Sequence, residues 1–153
     1  MLEVRPVLAG DVDAVLALIA EVLSEFGLTF GQGSTTDDEL RELPGSYLDR
    51  GGMFWIAARE GALLGTCGVF PLRPGVFELR KMYLLPASRG LGLGKQLLDV
   101  AVVWSRDQQA THLVLDTVDE MTKAIAFYEA HGFTRDDGQI RGSRCTRGYV
   151  RTL

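Results

Sequence analysis

The sequence predicts an α/β chain built on a mixed, mostly antiparallel sheet flanked by helices. Three observations carry this expectation. Two apolar runs, Gly52–Arg59 and Leu63–Pro71, are joined by Glu60-Gly61, and Arg73-Pro74-Gly75 turns the chain into a third run, so three antiparallel strands follow one another. A strand, a glycine-rich loop, a helical pattern and another short strand then occupy Phe77 to Asp116. That series makes its two strands parallel neighbours across a right-handed crossover. Ahead of both lies a helix whose apolar stripe, Val12, Val15, Leu16, Ile19, Val22, Leu23 and Phe26, is unbroken.

The elements follow in order. Leu2–Val7 alternates as a short strand, with Pro6 placing it at an edge or an end. Asp11 is expected to cap the first helix. Ser24–Thr36 carries Gly27, Gly31 and Gly33 among Phe26, Leu28 and Phe30; it reads as a pocket wall or as a loop packed on the core through Phe30. Thr36 and Glu39 have capping-box spacing, which predicts a short helix ending near Leu43-Pro44-Gly45, with a second turn over Tyr47–Asp49. After the three strands and the glycine loop, Leu93, Leu97, Ala101 and Trp104 share one helix face. His112–Asp116 is a short buried strand, and Met121–His131 a helix closed by Gly132. The tail, Phe133–Leu153, supplies one or two strands around Asp136-Asp137-Gly138, with Cys145–Val150 the clearer one.

Composition bounds the function. The 153 residues fit one domain, 1–153, large enough for a single core. A net charge of −4 argues against a nucleic-acid binder held by a basic face. No apolar run approaches the ~20 residues of a membrane span, and the N-terminus has no basic segment followed by an apolar core. A cytoplasmic location, with no membrane partner, is the expectation. Cys67 and Cys145 then read as free thiols, although a disulfide between them stays open.

The chemistry concentrates in Arg89–Lys95, where Gly90, Gly92 and Gly94 alternate at the start of a helix. Glycines let backbone N–H groups approach an anion, and the helix dipole adds about half a positive charge there. Arg89 and Lys95 flank the loop with full charges. A P-loop is excluded, because Arg89 stands five residues before Gly94 and Gln96 replaces the metal-binding hydroxyl. The dinucleotide spacing fails as well, since Lys95 or Leu97 falls on its last glycine. What remains is Arg89-x-x-Gly92-x-Gly94, which taken alone is either an anion cradle or a glycine-rich turn.

This hexapeptide resembles the pyrophosphate-binding motif of the Gcn5-related N-acetyltransferases (GNAT), and the element order resembles their whole fold over nearly the full chain. A second segment, Ala124-Ile125-Ala126-Phe127-Tyr128-Glu129-Ala130-His131-Gly132-Phe133, is similar to the family's A-x-x-[LF]-Y-x-x-x-G-F. The chain departs from the family at Met121, where many members carry a cofactor-contacting Asn, so that contact is not carried over. The resemblance implies a sheet whose fourth strand, Phe77–Leu85, and fifth strand, His112–Asp116, splay apart around acetyl-CoA, with no metal. Met82 and Leu84 would pair with pantetheine through their main chain, and an N–H near Tyr83 would bind the thioester oxygen. Arg89, Gly90, Leu91, Gly92, Leu93, Gly94 and Lys95 would hold the pyrophosphate.

Direct transfer requires a deprotonated amine, a stabilised carbonyl oxygen and a protonated leaving thiolate. By the resemblance, Glu78 is the candidate base and Tyr128 the candidate acid. Read without it, Glu78 is a strand-face charge and Tyr128 a core aromatic. His112, His131, Asp116 and Cys67 are weaker candidates. The implied activity is acetyl transfer to a small-molecule or peptide primary amine in a ternary complex; the alternative is a non-catalytic acyl-CoA-binding or regulatory domain of the same fold. The acceptor site is expected among Ser24–Thr36, the Asp49–Gly52 turn and the Asp136–Ser143 loop. Carboxylates at Glu25, Asp37, Asp38 and Asp49 would suit a cationic acceptor. A homodimer through the last strand is compatible with the sequence.

Overall fold

A computed structural model describes residues 1–153. The chain opens with β1 (Leu2–Pro6), a 3-10 turn (Ala9–Asp11) and α1 (Val12–Ser24). A second 3-10 turn (Asp38–Glu42) and the short α2 (Gly45–Leu48) lead to β2 (Met53–Arg59), β3 (Ala62–Arg73) and β4 (Val76–Leu84). Then come α3 (Leu93–Asp107), β5 (His112–Thr117), α4 (Thr122–Ala130), β6 (Thr134–Arg135) and β7 (Arg147–Thr152). One sheet contains all seven strands in the order β1-β2-β3-β4-β5-β7-β6. Only the β4–β5 pair is parallel. The predicted mixed sheet is therefore present, with the central reversal where the glycine loop demanded it.

Local chemistry explains the boundaries. Glu60 and Gly61 both adopt positive φ, +52° and +82°, so the β2–β3 hairpin turns with the twist of its strands. At the end of α1, Gly27 (φ +70°) allows Leu28 N–H to reach the Leu23 carbonyl at 3.0 Å and Gly27 N–H to reach Ser24 at 3.2 Å. These two bonds are a Schellman cap, so the helix ends at a glycine that the sequence assigned to an irregular loop. α4 ends in the same way: Phe133 N–H donates to the Tyr128 carbonyl at 3.1 Å across Gly132 (φ +89°). The Phe133 ring also packs on Tyr128, with centroids 5.6 Å apart. The Tyr-x-x-x-Gly-Phe segment is thus a helix stop with its customary apolar contact.

The helices cover both faces of the sheet. On one face α3 and α4 bury Leu97, Leu98, Ala101 and Ile125 against Trp55, Leu79 and Leu113. On the other, α1 and α2 bury Val15, Ile19, Leu23 and Tyr47 against Phe54 and Ile56.

Three sequence expectations differ. Asp11 does not cap α1. Its carboxylate accepts from Leu8 N–H at 2.8 Å and pairs with Arg5 at 2.8 and 3.0 Å, tying the 3-10 turn back to β1. Thr36 and Glu39 form no capping box, because Glu39 reaches across to Arg80 on β4 and the segment winds as a 3-10 turn. The last strand runs over Arg147–Thr152 and not Cys145–Val150, with β6 pairing along part of it at Thr134–Val150 and Arg135–Tyr149.

The entry to β2 has no room for a side chain. A Cβ at Gly52 would stand 2.6 Å from the Val69 carbonyl oxygen and 3.2 Å from that of Tyr47, both backbone atoms. Gly52→Ala is expected to destabilise the protein by about 1–3 kcal/mol, which lowers the midpoint by about 2–4 °C per kcal/mol. Gly10→Ala, whose Cβ meets nothing within 4 Å, serves as the neutral control. Equal midpoints for the two variants in thermal unfolding would contradict this packing.

Candidate active site

The parallel strands stay together for only three residue pairs: Val76 with His112, Phe77 with Leu113 and Glu78 with Val114. Beyond Glu78, β4 keeps β3 and β5 keeps β7, so a gap opens between them. The gap is a cleft of about 140 Å³. Its walls are β4 from Glu78 to Tyr83, β5 from Leu115 onward, Tyr128 of α4, and the loops 33–36 and 141–145.

β4 carries a bulge within this cleft. Gly68 pairs with Arg80 and Thr66 with Tyr83, so Cys67 alone opposes both Lys81 and Met82. Lys81 takes φ of +54° there, and its carbonyl accepts from Thr66 Oγ1 at 2.7 Å. In an unbroken strand Arg80 and Lys81 would face opposite sides. The bulge instead turns both towards the segment that follows α1, where Arg80 meets Glu39 at 3.2 Å and Lys81 pairs with Asp37.

Asp37 joins three segments. Its carboxylate is fully buried, accepts from Gly31 N–H at 2.7 Å, and pairs with both Lys81 Nζ and Arg144 Nη1, the latter at 3.0 Å. Burial pushes the Asp37 carboxyl up. The Lys81 ammonium, the Gly31 N–H and the Arg144 guanidinium outweigh it and hold the group below the ordinary carboxylate range. Burial lowers Lys81 from its ordinary value against the pull of Asp37. The segment over 24–36, read as a pocket wall or a packed loop, is therefore fastened at Gly31 and also at Gly33, whose carbonyl accepts from Arg144 N–H at 3.2 Å.

The sequence-predicted base and acid both line this cleft. Glu78 is buried; one of its oxygens accepts from Arg80 Nε, while Oε2 has no partner. Arg80 also lies over the Phe70 ring, 4.1 Å from its centroid. Tyr128 is buried, and its hydroxyl makes no hydrogen bond within the protein. Burial, followed by the neighbouring Tyr83 and Cys67, raises this phenol well above its ordinary value, so it keeps its proton at neutral pH. Tyr83, for the first of these reasons, is pushed up to about 12.

At the other end of β4 the glycine loop opens α3. Gly90 and Gly92 take φ of +78° and +79°, and a Cβ at either would meet nothing within 4 Å. Arg89 N–H donates to Pro86 and Gln96 N–H to Gly92, but none of the N–H groups from Gly90 to Lys95 donates to a protein acceptor. These are unpaired donors at a helix N-terminus, the arrangement that an anion cradle would require. Leu91 is exposed there, Leu93 is buried, and Gly94 sits 3.4 Å from Leu84 Cδ1 and 3.5 Å from Phe127 Cε1, measured from its would-be Cβ. The two flanking cations are not free as expected. Arg89 forms a bidentate pair with Glu25 at 2.9 Å and donates to the Leu84 carbonyl at 2.9 and 3.1 Å; Lys95 pairs with Asp99 at 2.7 Å. Arg89 thus locks the end of β4 to the end of α1.

The other candidates divide. Asp116 lines the cleft, and its carboxylate accepts from Arg141 and Gly142 N–H at 2.7 and 2.8 Å, fixing the 141–145 loop. His131 spends Nδ1 on the Phe127 carbonyl at 2.7 Å, His112 meets Thr111 at 2.9 Å, and neither lines the cleft. Cys67 and Cys145 are free thiols, and burial raises both above the ordinary value, Cys145 to about 12. The Asp49–Gly52 turn contributes nothing to the lining. Three of the four carboxylates expected to attract a cationic acceptor are engaged elsewhere, Glu25 with Arg89, Asp37 with Lys81 and Arg144, and Asp38 with Arg41, and Asp49 does not line the cleft. Sequence reasoning missed Lys81, Arg141 and Arg144, which only the bulge and the returning loop bring to the cleft.

The model of the Acetyltransferase (GNAT) family matches residues 18–133. An uncharacterized N-acetyltransferase of Escherichia coli, YjgM, is 37% identical over 131 residues, which are 83% of this chain and 78% of that protein. A GNAT-family acetyltransferase from Staphylococcus aureus superposes with a TM-score of 0.91 at 25% identity, over 100% of this chain and 99% of the other. A phosphinothricin acetyltransferase from Sinorhizobium meliloti, solved with acetyl-CoA, has the same fold at a TM-score of 0.79 and 20% identity, over 99% and 88% of the two chains.

Because Asp37 is held below its unfolded value of about 3.9, its contribution to stability is complete above that pH and is lost as the pH falls through the lower folded value. Asp37→Asn leaves Lys81 and Arg144 buried without a counterion, and is expected to remove about 3–5 kcal/mol at neutral pH. Denaturant titrations between pH 7 and pH 3 check both points. The variant should lose stability less steeply on acidification, and an unchanged slope would contradict the role given to Asp37.

Proposed function

The chain belongs to the acetyltransferase (GNAT) family and is an N-acetyltransferase, and we propose that it moves an acetyl group directly from acetyl-CoA to a primary amine held in the β4–β5 cleft. The observation that carries this reading is the pairing of an unsatisfied N–H cradle at the start of α3 with a cleft containing Glu78 and Tyr128. The family relative from Sinorhizobium meliloti, solved with acetyl-CoA, supports the choice of donor.

Bound acetyl-CoA supplies an acetyl thioester. The N–H groups of Gly90–Lys95 would hold its pyrophosphate: their donors are unpaired, and the space above Gly90 and Gly92 is open. The unpaired edge of β4 beyond Glu78 would receive the pantetheine arm through main-chain groups of Met82 and Leu84, the Leu84 carbonyl already accepting from Arg89. An N–H near the Lys81 bulge and Tyr83 would take the carbonyl oxygen as it gains charge.

Glu78 would accept the proton of the attacking ammonium, directly or through water. A primary amine of pKa ≈ 10.4 has almost no free lone pair at neutral pH without such help. Arg80 holds one Glu78 oxygen and leaves Oε2 for this task. The carbon–nitrogen bond forms, the carbon–sulfur bond breaks, and Tyr128 donates its proton to the departing sulfur. A buried phenol that keeps its proton suits that role.

The first test is thermal unfolding with and without acetyl-CoA. At about 100 times its dissociation constant the ligand adds roughly 2.7 kcal/mol, a shift of about 5–10 °C for this size. Gly92→Val should lose that shift while staying folded, since its Cβ meets open space and only the left-handed backbone resists it. Retained binding in this variant would remove the cradle assignment. Tyr128→Phe is expected to lower kcat about 10²-fold with acetyl-CoA affinity unchanged, read by thiol release and by the same thermal shift. Equal loss of turnover and affinity would make Tyr128 a packing residue.

A further inference from the structure

The ionic groups of the cleft are sorted by sign. Around Glu78, two carboxylates, Glu78 and Glu39, share one guanidinium, that of Arg80, leaving this side one negative charge in excess. Its buried Glu78 Oε2 accepts no hydrogen bond. Around Asp37, two carboxylates, Asp37 and the cleft-lining Asp116, stand with three cations, Lys81, Arg144 and Arg141, leaving that side one positive charge in excess. Lys81 and Arg144 both line the cleft although their side chains are only 5% and 12% exposed. A third cation, Arg141, stands exposed at the rim; its backbone is anchored by Asp116 and its guanidinium makes no ion pair.

Excess charge in the wall of a cleft is stabilised by an opposite charge on the ligand. Glu78 and Lys81 are three residues apart on one strand, about 10 Å at 3.3 Å per residue, and both line the same cleft. A ligand spanning them carries its cation and its anion within a few bonds of each other.

Resting on the acetyl-transfer reading above, we infer that the acceptor is an amino acid or a closely similar amino carboxylate. Its amine is placed at Glu78 and its carboxylate at Arg141 and the Lys81–Arg144 pair. Arg141 is the specificity-determining residue, because it is the cation of this group without an internal counterion. Guanidinium groups match carboxylates bidentately, which favours this acid over a featureless anion. A simple polyamine or the side-chain amine of a lysine within a peptide would leave this positive side unpaired.

The test measures kcat/KM by thiol release from acetyl-CoA with the common amino acids, each beside its carboxamide and its decarboxylated amine. Acids are expected to exceed their amides by roughly ten- to a hundredfold, because a charge-assisted hydrogen bond to a guanidinium is about twice as strong as a neutral one. Arg141→Gln should narrow that ratio by about tenfold or more while leaving KM for acetyl-CoA unchanged; a residue that merely supports the loop would lower both acceptors equally. Equal or faster turnover of the amides and amines would overturn the inference and leave acetyl transfer standing. Turnover of none, in protein that acetyl-CoA still stabilises, would likewise overturn it by excluding amino carboxylates. Absence of acetyl-CoA stabilisation would instead fail the underlying functional reading. A raised KM for acetyl-CoA in Arg141→Gln would assign that cation to the donor rather than the acceptor.

Discussion

The parting of β4 from β5 after Glu78 is the constraint on which the rest of the molecule depends. A strand that leaves its neighbour in mid-sheet exposes N–H and C=O groups at the centre of the protein, and such groups are normally paired. Here β4 stays paired with β3, while β5 follows β7. The resulting gap is lined by side chains from both sheet faces, since the Lys81 bulge reverses the alternation halfway along β4. Without the bulge, Lys81 would point towards α3 and Asp37 would be buried with one cation fewer.

Two sets of interactions hold the gap open. On the cradle side, Arg89 joins the Leu84 carbonyl to Glu25 at the end of α1, so the glycine loop starts from a fixed point. The pair is about 30% exposed on each side, and its value lies in geometry more than in Coulomb energy. On the far side of the cleft, the Asp37 cluster joins the 31–34 loop, β4 and the 141–145 loop. That cluster is buried, so removing one member is far more damaging than breaking a surface pair. The same ions that fasten the loops also give the cleft its sorted charge. Stability and the charge of the cleft therefore draw on the same residues here, with Arg141 the exception.

The Tyr-x-x-x-Gly-Phe segment shows how a short motif can carry both structure and chemistry. Tyr128 is the residue whose carbonyl accepts the bond that ends α4, and Phe133 packs on its ring after the glycine reversal. The cap fixes the backbone and ring of Tyr128, and its hydroxyl is left without an internal partner. Packing uses the ring and proton transfer would use the hydroxyl, so the two readings of Tyr128 do not compete.

Local chemistry in the sequence determined the helix faces, the Glu60-Gly61 hairpin, the glycine loop opening α3 and the Gly132 helix stop. Each is settled by residues within a few positions of one another. It also singled out Glu78 and Tyr128, through a resemblance carried by two motifs. What it could not contain were partnerships between distant residues. Lys81 meets Asp37 across 44 positions, and Arg144 meets Asp37 across 107. Those contacts turned an expected helix cap at Thr36–Glu39 into a buried ionic junction, and an expected cation-seeking surface into a cleft with three basic side chains beyond Arg80. Short-range signals fix short-range structure because the backbone has few local choices. Which charges share a cleft depends on strand order, register and one bulge, and those are decided only when the whole sheet assembles.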